Sequence, residues 1–319
     1  MPVPELLVPR LAYGAANLGN LYRELGDEEA WAILDAAWEH GVRFYDTAPH
    51  YGLGLSERRL GAFLRTKPRD EYVLSTKVGR LLVPNPAGEG ALDTDNDFVV
   101  PATVRREWDA SEAGVRRSLD ESLERLGLDH VDVLYLHDPE RNDPESGISE
   151  GIPALAALRD EGLVGAVGIG SMDVAALLAA VRTGLTDLIM IAGRYTLAEQ
   201  PAGEEVLPAC LEHGVGVVAA SVFNSGLLAR AVPDRDGRYE YGAVPPEVFD
   251  RAVDIAEICR RFEVELPAAA LQFPLRHPAV RTVAVGASRP EQMIQNVERF
   301  EAPIPETFWT ELRTRGLLG

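Results

Sequence analysis

Short β-branched runs take turns with helical patterns along the whole chain, and glycines punctuate them in a recurring place. Arg10–Tyr13, Val42–Tyr45, Tyr72–Thr76, Val131–Leu136, Val164–Ile169, Leu188–Ile191, Val215–Ala220 and Thr282–Val285 read as eight strands. Gly41, Gly127, Gly162, Gly184 and Gly214 each close a helical pattern just before a strand, as a left-handed C-terminal cap does. Strands alternating with helices build right-handed βαβ units and hence a parallel sheet. Eight such units in 319 residues fit a closed (β/α)₈ TIM barrel of the α/β class better than an open sheet. No repeat, charge run or low-complexity linker divides the chain, so residues 1–319 are expected to form a single barrel domain.

Local signals refine that expectation. Asp27 reads as the N-cap of a helix running to His40, with Trp31, Ile33, Leu34, Ala37 and Trp38 on its apolar side. Ser56 reads as the cap of a short helix carrying Leu60, Phe63 and Leu64. Two stretches break the rhythm. Residues Gly79–Ala110 show no clear helix and are rich in Pro, Gly, Asp and Asn, with Phe98 and Trp108 among them; Phe223–Pro246 is the second. Long loops in compact domains are usually functional. Both follow strand C-termini, so both are expected to overhang the mouth where barrel active sites lie. Pro305–Gly319 reads as an extra helix outside the barrel.

Composition then removes whole classes of function. Fifty Asp and Glu face 31 Lys and Arg, a formal net charge of −19. Such a surface repels phosphate backbones and anionic lipids, which argues against nucleic-acid and membrane-surface partners. Cys210 and Cys259 have neither metal-ligand spacing nor the number for a disulfide framework, and read as small buried apolar residues. No metal site is expected. The apolar runs are too short to span a bilayer, and Met1–Leu11 lacks a leader's pattern. A reducing, cytoplasmic setting is the expectation.

Polar residues interrupt the apolar runs at telling places. Asp46, Lys77 and His137 each end a different strand, and Tyr51 follows Asp46 by five residues. One charged strand end is ordinarily a surface group, whereas three that converge on one barrel mouth make a candidate site. The glycine loop Gly52-Leu53-Gly54-Leu55-Ser56-Glu57 imitates a dinucleotide fingerprint, but Glu57 stands where the third glycine belongs, so it fails.

The stretches Phe44-Tyr45-Asp46-Thr47-Ala48-Pro49-His50-Tyr51-Gly52, Leu74–Gly79, Tyr135-Leu136-His137 and Val283–Gln292 resemble, in order, the blocks of the aldo-keto reductase superfamily. Gly19–Arg23, His50–Glu57 and Val222–Leu228 resemble its subgroup of D-threo-aldose 1-dehydrogenases and pyridoxal 4-dehydrogenases. The resemblance implies a hydride-transferring oxidoreductase that uses NADP or NAD. It implies a catalytic tetrad of Asp46, Tyr51, Lys77 and His137, and a small sugar or aldehyde as substrate. Oxidation of an L-fucose- or D-arabinose-type aldose at C1 to a lactone is the expected reaction. Pyridoxal oxidation, or cofactor sensing without useful catalysis, are the alternatives. The physical logic is a proton-transfer problem: a phenol near pKa 10 exchanges its proton more readily beside an ammonium, which favours the phenolate. Lys77 would supply that charge, Asp46 would hold Lys77, and His137 would orient the substrate oxygen.

The same resemblance places cofactor contacts at Ser171, Ser221, Phe223, Ser225, Gly286, Ser288, Arg289, Gln292 and Asn296. The segment after the last strand opens a helix whose backbone N–H groups suit a phosphate. Ala192 and Ala220 stand where many relatives carry a carboxamide-binding Gln and a stacking aromatic. His50 and Trp108 are candidates to meet the substrate. Oligomeric state is not written in any of these features.

Overall fold

The structure, a computed structural model, describes residues 8–240 and 242–318. The first seven residues of the stretch read for a leader, and Gly319 at the end of the last helical pattern, lie outside the described residues.

Eight parallel strands close into a barrel in sequence order. They are β1 (Leu11–Gly14), β2 (Phe44–Asp46), β3 (Val73–Val78), β4 (Val131–His137), β5 (Val164–Ser171), β6 (Leu188–Ala192), β7 (Gly216–Ala220) and β8 (Val280–Val285). Pairing of β1 with β8, Leu11 opposite Val283, completes the circle. Helices α1 (Asp27–Glu39), α2 (Leu55–Leu64), α3 (Glu112–Leu126), α4 (Ile152–Asp160), α5 (Val174–Arg182) and α6 (Val206–His213) connect successive strands. Two more, α7 (Pro246–Arg261) and α8 (Leu266–Gln272), lie between β7 and β8, with α9 (Pro290–Glu301) and α10 (Glu306–Thr314) after them. The last packs on α7 and α8, where Phe308, Trp309 and Leu312 join Ile255, Ile258 and Ala269 in a satellite core.

Strand periodicity sorts the side chains. Ala12, Phe44, Val133, Tyr135, Ala166, Leu188, Met190, Val218 and Ala284 fill the barrel interior, while Tyr13, Tyr45, Leu134, Val167, Ile189, Val217 and Val283 face the helices. Counting two residues on from an inward position gives the next inward one. From Phe44 that step reaches Asp46, and from Tyr135 it reaches His137. Both therefore sit in the uppermost inward layer, as does Lys77 two residues beyond Ser75.

Two capping expectations are corrected. Gly26, extended at φ −73°, ψ 156°, is the N-cap of α1, and Asp27 is its first helical residue. Asp27 instead pairs with Arg59 at 2.8 Å. Gly54 precedes α2 in a left-handed conformation, and Ser56 lies inside the first turn. Its hydroxyl donates to the Ala15 carbonyl at 2.8 Å and shares a hydrogen bond with Thr47. The stretch after β3 is no irregular loop either. Arg80–Pro84 and Val104–Trp108 pair antiparallel, Arg80 opposite Trp108, and the chain between them folds back toward the barrel mouth.

Candidate active site

Asp46, Lys77 and His137 are brought together at the top of the barrel with Tyr51, on the loop after β2. The Lys77 ammonium donates to Asp46 Oδ2 at 2.5 Å and to the Thr47 carbonyl at 3.0 Å. Ser75 donates to the other Asp46 oxygen at 2.7 Å, so the carboxylate is held from both sides. Lys77 is 2 % exposed and Asp46 3 %; an ion pair this dry persists only when its geometry and its further hydrogen bonds are good. The Lys77 ammonium lies 4.7 Å from the centre of the Tyr51 ring, near enough to act on its phenol. Burial alone would push the Lys77 pKa down, but Asp46 and Tyr51 outweigh it and the group stands above its ordinary value.

Tyr51 corrects an expectation about sign. Lys77 does pull its phenol toward ionisation, but burial, helped by Asp46, pushes harder, and its pKa stands above the ordinary value. Near neutrality the unliganded site therefore holds Tyr51 as the neutral phenol.

His137 packs edge-on to Tyr51, ring centres 5.8 Å apart. Burial first, then Arg80, Lys77 and neighbouring cations, hold it well below the usual imidazole range, so it is neutral. Its Nε2 lies 3.6 Å from Asp138. Asp138 itself has φ +43° and accepts a hydrogen bond from Arg80, whose guanidinium stacks on Trp108 at 4.4 Å.

Two cavities meet at this point. One of about 240 Å³ is lined by His50, Tyr51, Phe98, His137, Asp138, Ala192, Ser221, Tyr239 and others. A trough of about 580 Å³, which shares Tyr22 and Ser225 with it, runs along Phe223, Gly226, Leu227, Gly286, Gln292 and Asn296. His50 thus joins the first cavity, Ser221 opens onto it, and five of the expected cofactor residues line the trough. Others stand apart. Ser171 is buried, accepting from the Asp173 backbone N–H at 2.9 Å. Ser288 donates its hydroxyl to Gln292 at 3.1 Å. Arg289 is exposed as the N-cap of α9. Trp108 does not reach the Tyr51 cavity; it lines a neighbouring one of about 210 Å³ that also touches His137.

Sequence reasoning missed Asp93, Arg106, Asp138 and Tyr239. The alternation within Val104-Arg105-Arg106-Glu107-Trp108 was the available signal that a strand runs there and turns Arg106 to one side.

The aldo/keto reductase family model matches residues 10–314. The chain belongs to the aldo/keto reductase family. Among curated relatives, the D-threo-aldose 1-dehydrogenase of Pseudomonas sp is 62% identical over 98% of this chain and 95% of its own length. The pyridoxal 4-dehydrogenase of Microbacterium luteolum is 38% identical over the same shares. A solved aldo-keto reductase from Bacillus halodurans, in its holo form, superposes with TM-score 0.76 at 28% identity, covering 98% of this chain and 93% of that one.

Dehydrogenases of the family use a nicotinamide dinucleotide, and the trough has the features for one. It is roomy, about 580 Å³, and adjoins the Tyr51 cavity through Tyr22 and Ser225. Gly286 lies exposed on its wall without a side chain, and a Cβ there would press on Asn17 Oδ1 at 2.8 Å. Phe223, Ser225, Gly286, Gln292 and Asn296 line the trough and would be the residues to hold such a group. Among the described residues no helix is long and apolar enough to cross a membrane, and no cluster of His, Cys, Asp or Glu has the makings of a metal site.

Proposed function

We propose that the protein is an NAD- or NADP-dependent aldose 1-dehydrogenase, oxidising an L-fucose- or D-arabinose-type sugar at C1 to its lactone. The observation that carries this is the Tyr51–Lys77–Asp46 chain beside a neutral His137 at the mouth of a 240 Å³ cavity. The relative at 62% identity, named for aldose 1-dehydrogenation, supplies the substrate class.

In this reading the cyclic sugar loses two hydrogens at C1. The C1 hydroxyl gives its proton to Tyr51, which acts as the base only after its own phenol proton has left to solvent, and the C1 hydrogen leaves with its electron pair. An oxidised nicotinamide would supply the hydride acceptor when bound, and its positive charge would favour the phenolate that burial disfavours. Lys77 opposes the burial that favours the neutral phenol, and Asp46, held by Ser75, keeps the ammonium aimed. Neutral His137 donates one hydrogen bond to the C1 oxygen and fixes its orientation. Small polar sugars fit the cavity better than a large ligand does.

Steady-state assays of L-fucose, D-arabinose, L-galactose and pyridoxal with NAD and with NADP test the reading. Aldose turnover with formation of the reduced nicotinamide supports it. Turnover of pyridoxal alone would favour the second reading, which the 38% identical relative motivates. Cofactor binding with no turnover of any of the four would overturn both.

A further inference from the structure

The strand Val104–Trp108 reaches back to the active site through a single side chain. Arg106 Nε donates to His50 Nδ1, and Arg106 Nη2 donates to the His50 carbonyl at 2.8 Å. Its two terminal nitrogens also grip Asp93, at 2.8 and 2.6 Å, in the paired geometry at which arginine excels. Asn96 donates to the same carboxylate at 2.9 Å. Arg106 and Asp93 side chains are 11% and 9% exposed, so the clamp is largely dry.

This geometry has a chemical consequence. A guanidinium has donors only. The His50 nitrogen that receives its hydrogen bond must therefore be the unprotonated one. That puts the imidazole proton on Nε2 and keeps the ring neutral. The ring is in edge contact with Phe98 and with His137, whose centre is 5.5 Å away, and it lies 6.1 Å from Tyr51. Burial and the surrounding cations Arg80, Arg106, Arg141 and Lys77 disfavour a second proton as well.

We infer that His50 is a specificity-determining donor: Arg106, locked by Asp93, fixes its Nε2–H to recognise a substrate hydroxyl one carbon away from the reacting carbon. Arg106 and Asp93 are positioning residues that act through the imidazole. The inference rests on the proposed aldose oxidation for the identity of the reacting carbon. It adds a reason why a polyhydroxylated substrate is preferred. Tyr51 and His137 address the C1 oxygen, and the His50 ring, its centre 6.1 and 5.5 Å from theirs on the same cavity wall, addresses the neighbouring C2 hydroxyl. A site built around a fixed donor discriminates against an analogue that leaves the donor unpaired.

The test compares D-arabinose with its 2-deoxy counterpart, 2-deoxy-D-ribose, in wild-type, His50→Phe and Arg106→Met enzymes. Wild-type kcat/KM is expected to favour the full sugar by about tenfold, the scale of one hydrogen bond. In His50→Phe that ratio should fall to near one, with the loss mostly in KM. Intrinsic differences between the sugars cancel when ratios are compared between enzymes. In Arg106→Met the ratio should fall too, and nitrogen NMR of 15N-histidine protein should show His50 losing its single Nε2–H tautomer. An unchanged ratio in His50→Phe, or an unchanged tautomer in Arg106→Met, overturns the inference. Should the wild-type enzyme oxidise neither sugar, it is the aldose reading that fails. The tautomer measurement still decides whether Arg106 sets the His50 proton.

Discussion

Gly19 and Gly52 press backbone to backbone: a Cβ on Gly52 would lie 2.2 Å from the Gly19 carbonyl oxygen, and one on Gly19 would lie 2.5 Å from the Tyr51 carbonyl carbon. Gly52 also has φ +60°, where side chains are strained. The contact seats the main chain of Tyr51 directly. Gly52→Ala is expected to cost about 1–3 kcal/mol in stability. It should also lower kcat more than it weakens cofactor binding, because the phenol moves and the trough does not. Chemical denaturation and steady-state kinetics check the two parts.

Tyr51→Phe removes the only proposed proton acceptor and leaves the ring. Turnover should fall by about 10²–10⁴, the usual worth of a positioned acid or base. Binding of NAD or NADP, followed by quenching of intrinsic fluorescence, should change little. A variant that keeps full activity would remove Tyr51 from the mechanism.

The Lys77–Asp46 pair makes a stability prediction that is independent of substrate. Asp46→Leu strands a buried ammonium and should cost about 3–5 kcal/mol in urea unfolding. The double variant Asp46→Leu with Lys77→Met should recover most of that loss while remaining inactive, since a matched apolar pair carries no stranded charge. Equal destabilisation of the single and double variants would contradict this account of the pair.

His50 and His137 both have pKa values well below the ordinary 6.5 in the folded protein. The unfolded chain therefore binds protons first as pH falls. Their contribution to stability is complete above about 6.5 and is lost progressively as pH drops toward the depressed folded values. The thermal midpoint should fall between pH 7.5 and 5.5, and His50→Gln should flatten that slope. A midpoint indifferent to pH across this interval would mean that the imidazoles titrate alike in both states.

Gly286→Val projects a branched side chain from the wall of the trough toward Asn17. The overpacking should cost about 1–3 kcal/mol of stability in the unliganded protein, and cofactor binding should weaken as well because the new side chain crowds the trough. Isothermal titration with NAD and NADP beside a thermal melt tests this.

Much of this architecture is legible in the primary structure, for physical reasons. The strands are short apolar runs preceded by helix-stopping glycines, and the proposed tetrad is conspicuous because Asp46, Lys77 and His137 are polar at apolar strand ends. What is local and periodic can be read. Helix caps misled because serine and aspartate at a helix start have other partners available: Ser56 turned to the Ala15 carbonyl and Asp27 to Arg59. The net direction of the Tyr51 shift was hidden because it is a balance of burial against one cation, and burial is a property of the assembled barrel. Arg106 was hidden for a related reason. It is separated from His50 by 56 positions, and nothing nearby in sequence marks the meeting.

The proposed proton-transfer groups occupy inward positions of the strands β2, β3 and β4, or the short turn directly after β2, whereas Arg106 and Asp93 belong to the excursion between β3 and α3. Sheet register guards the former, since a one-residue slip would swing Asp46 or His137 out toward the helices. The excursion carries no such constraint. A scaffold of this kind is thus free to trade one hairpin for another and reshape what its cavity admits, while the barrel-borne side chains stay where they are.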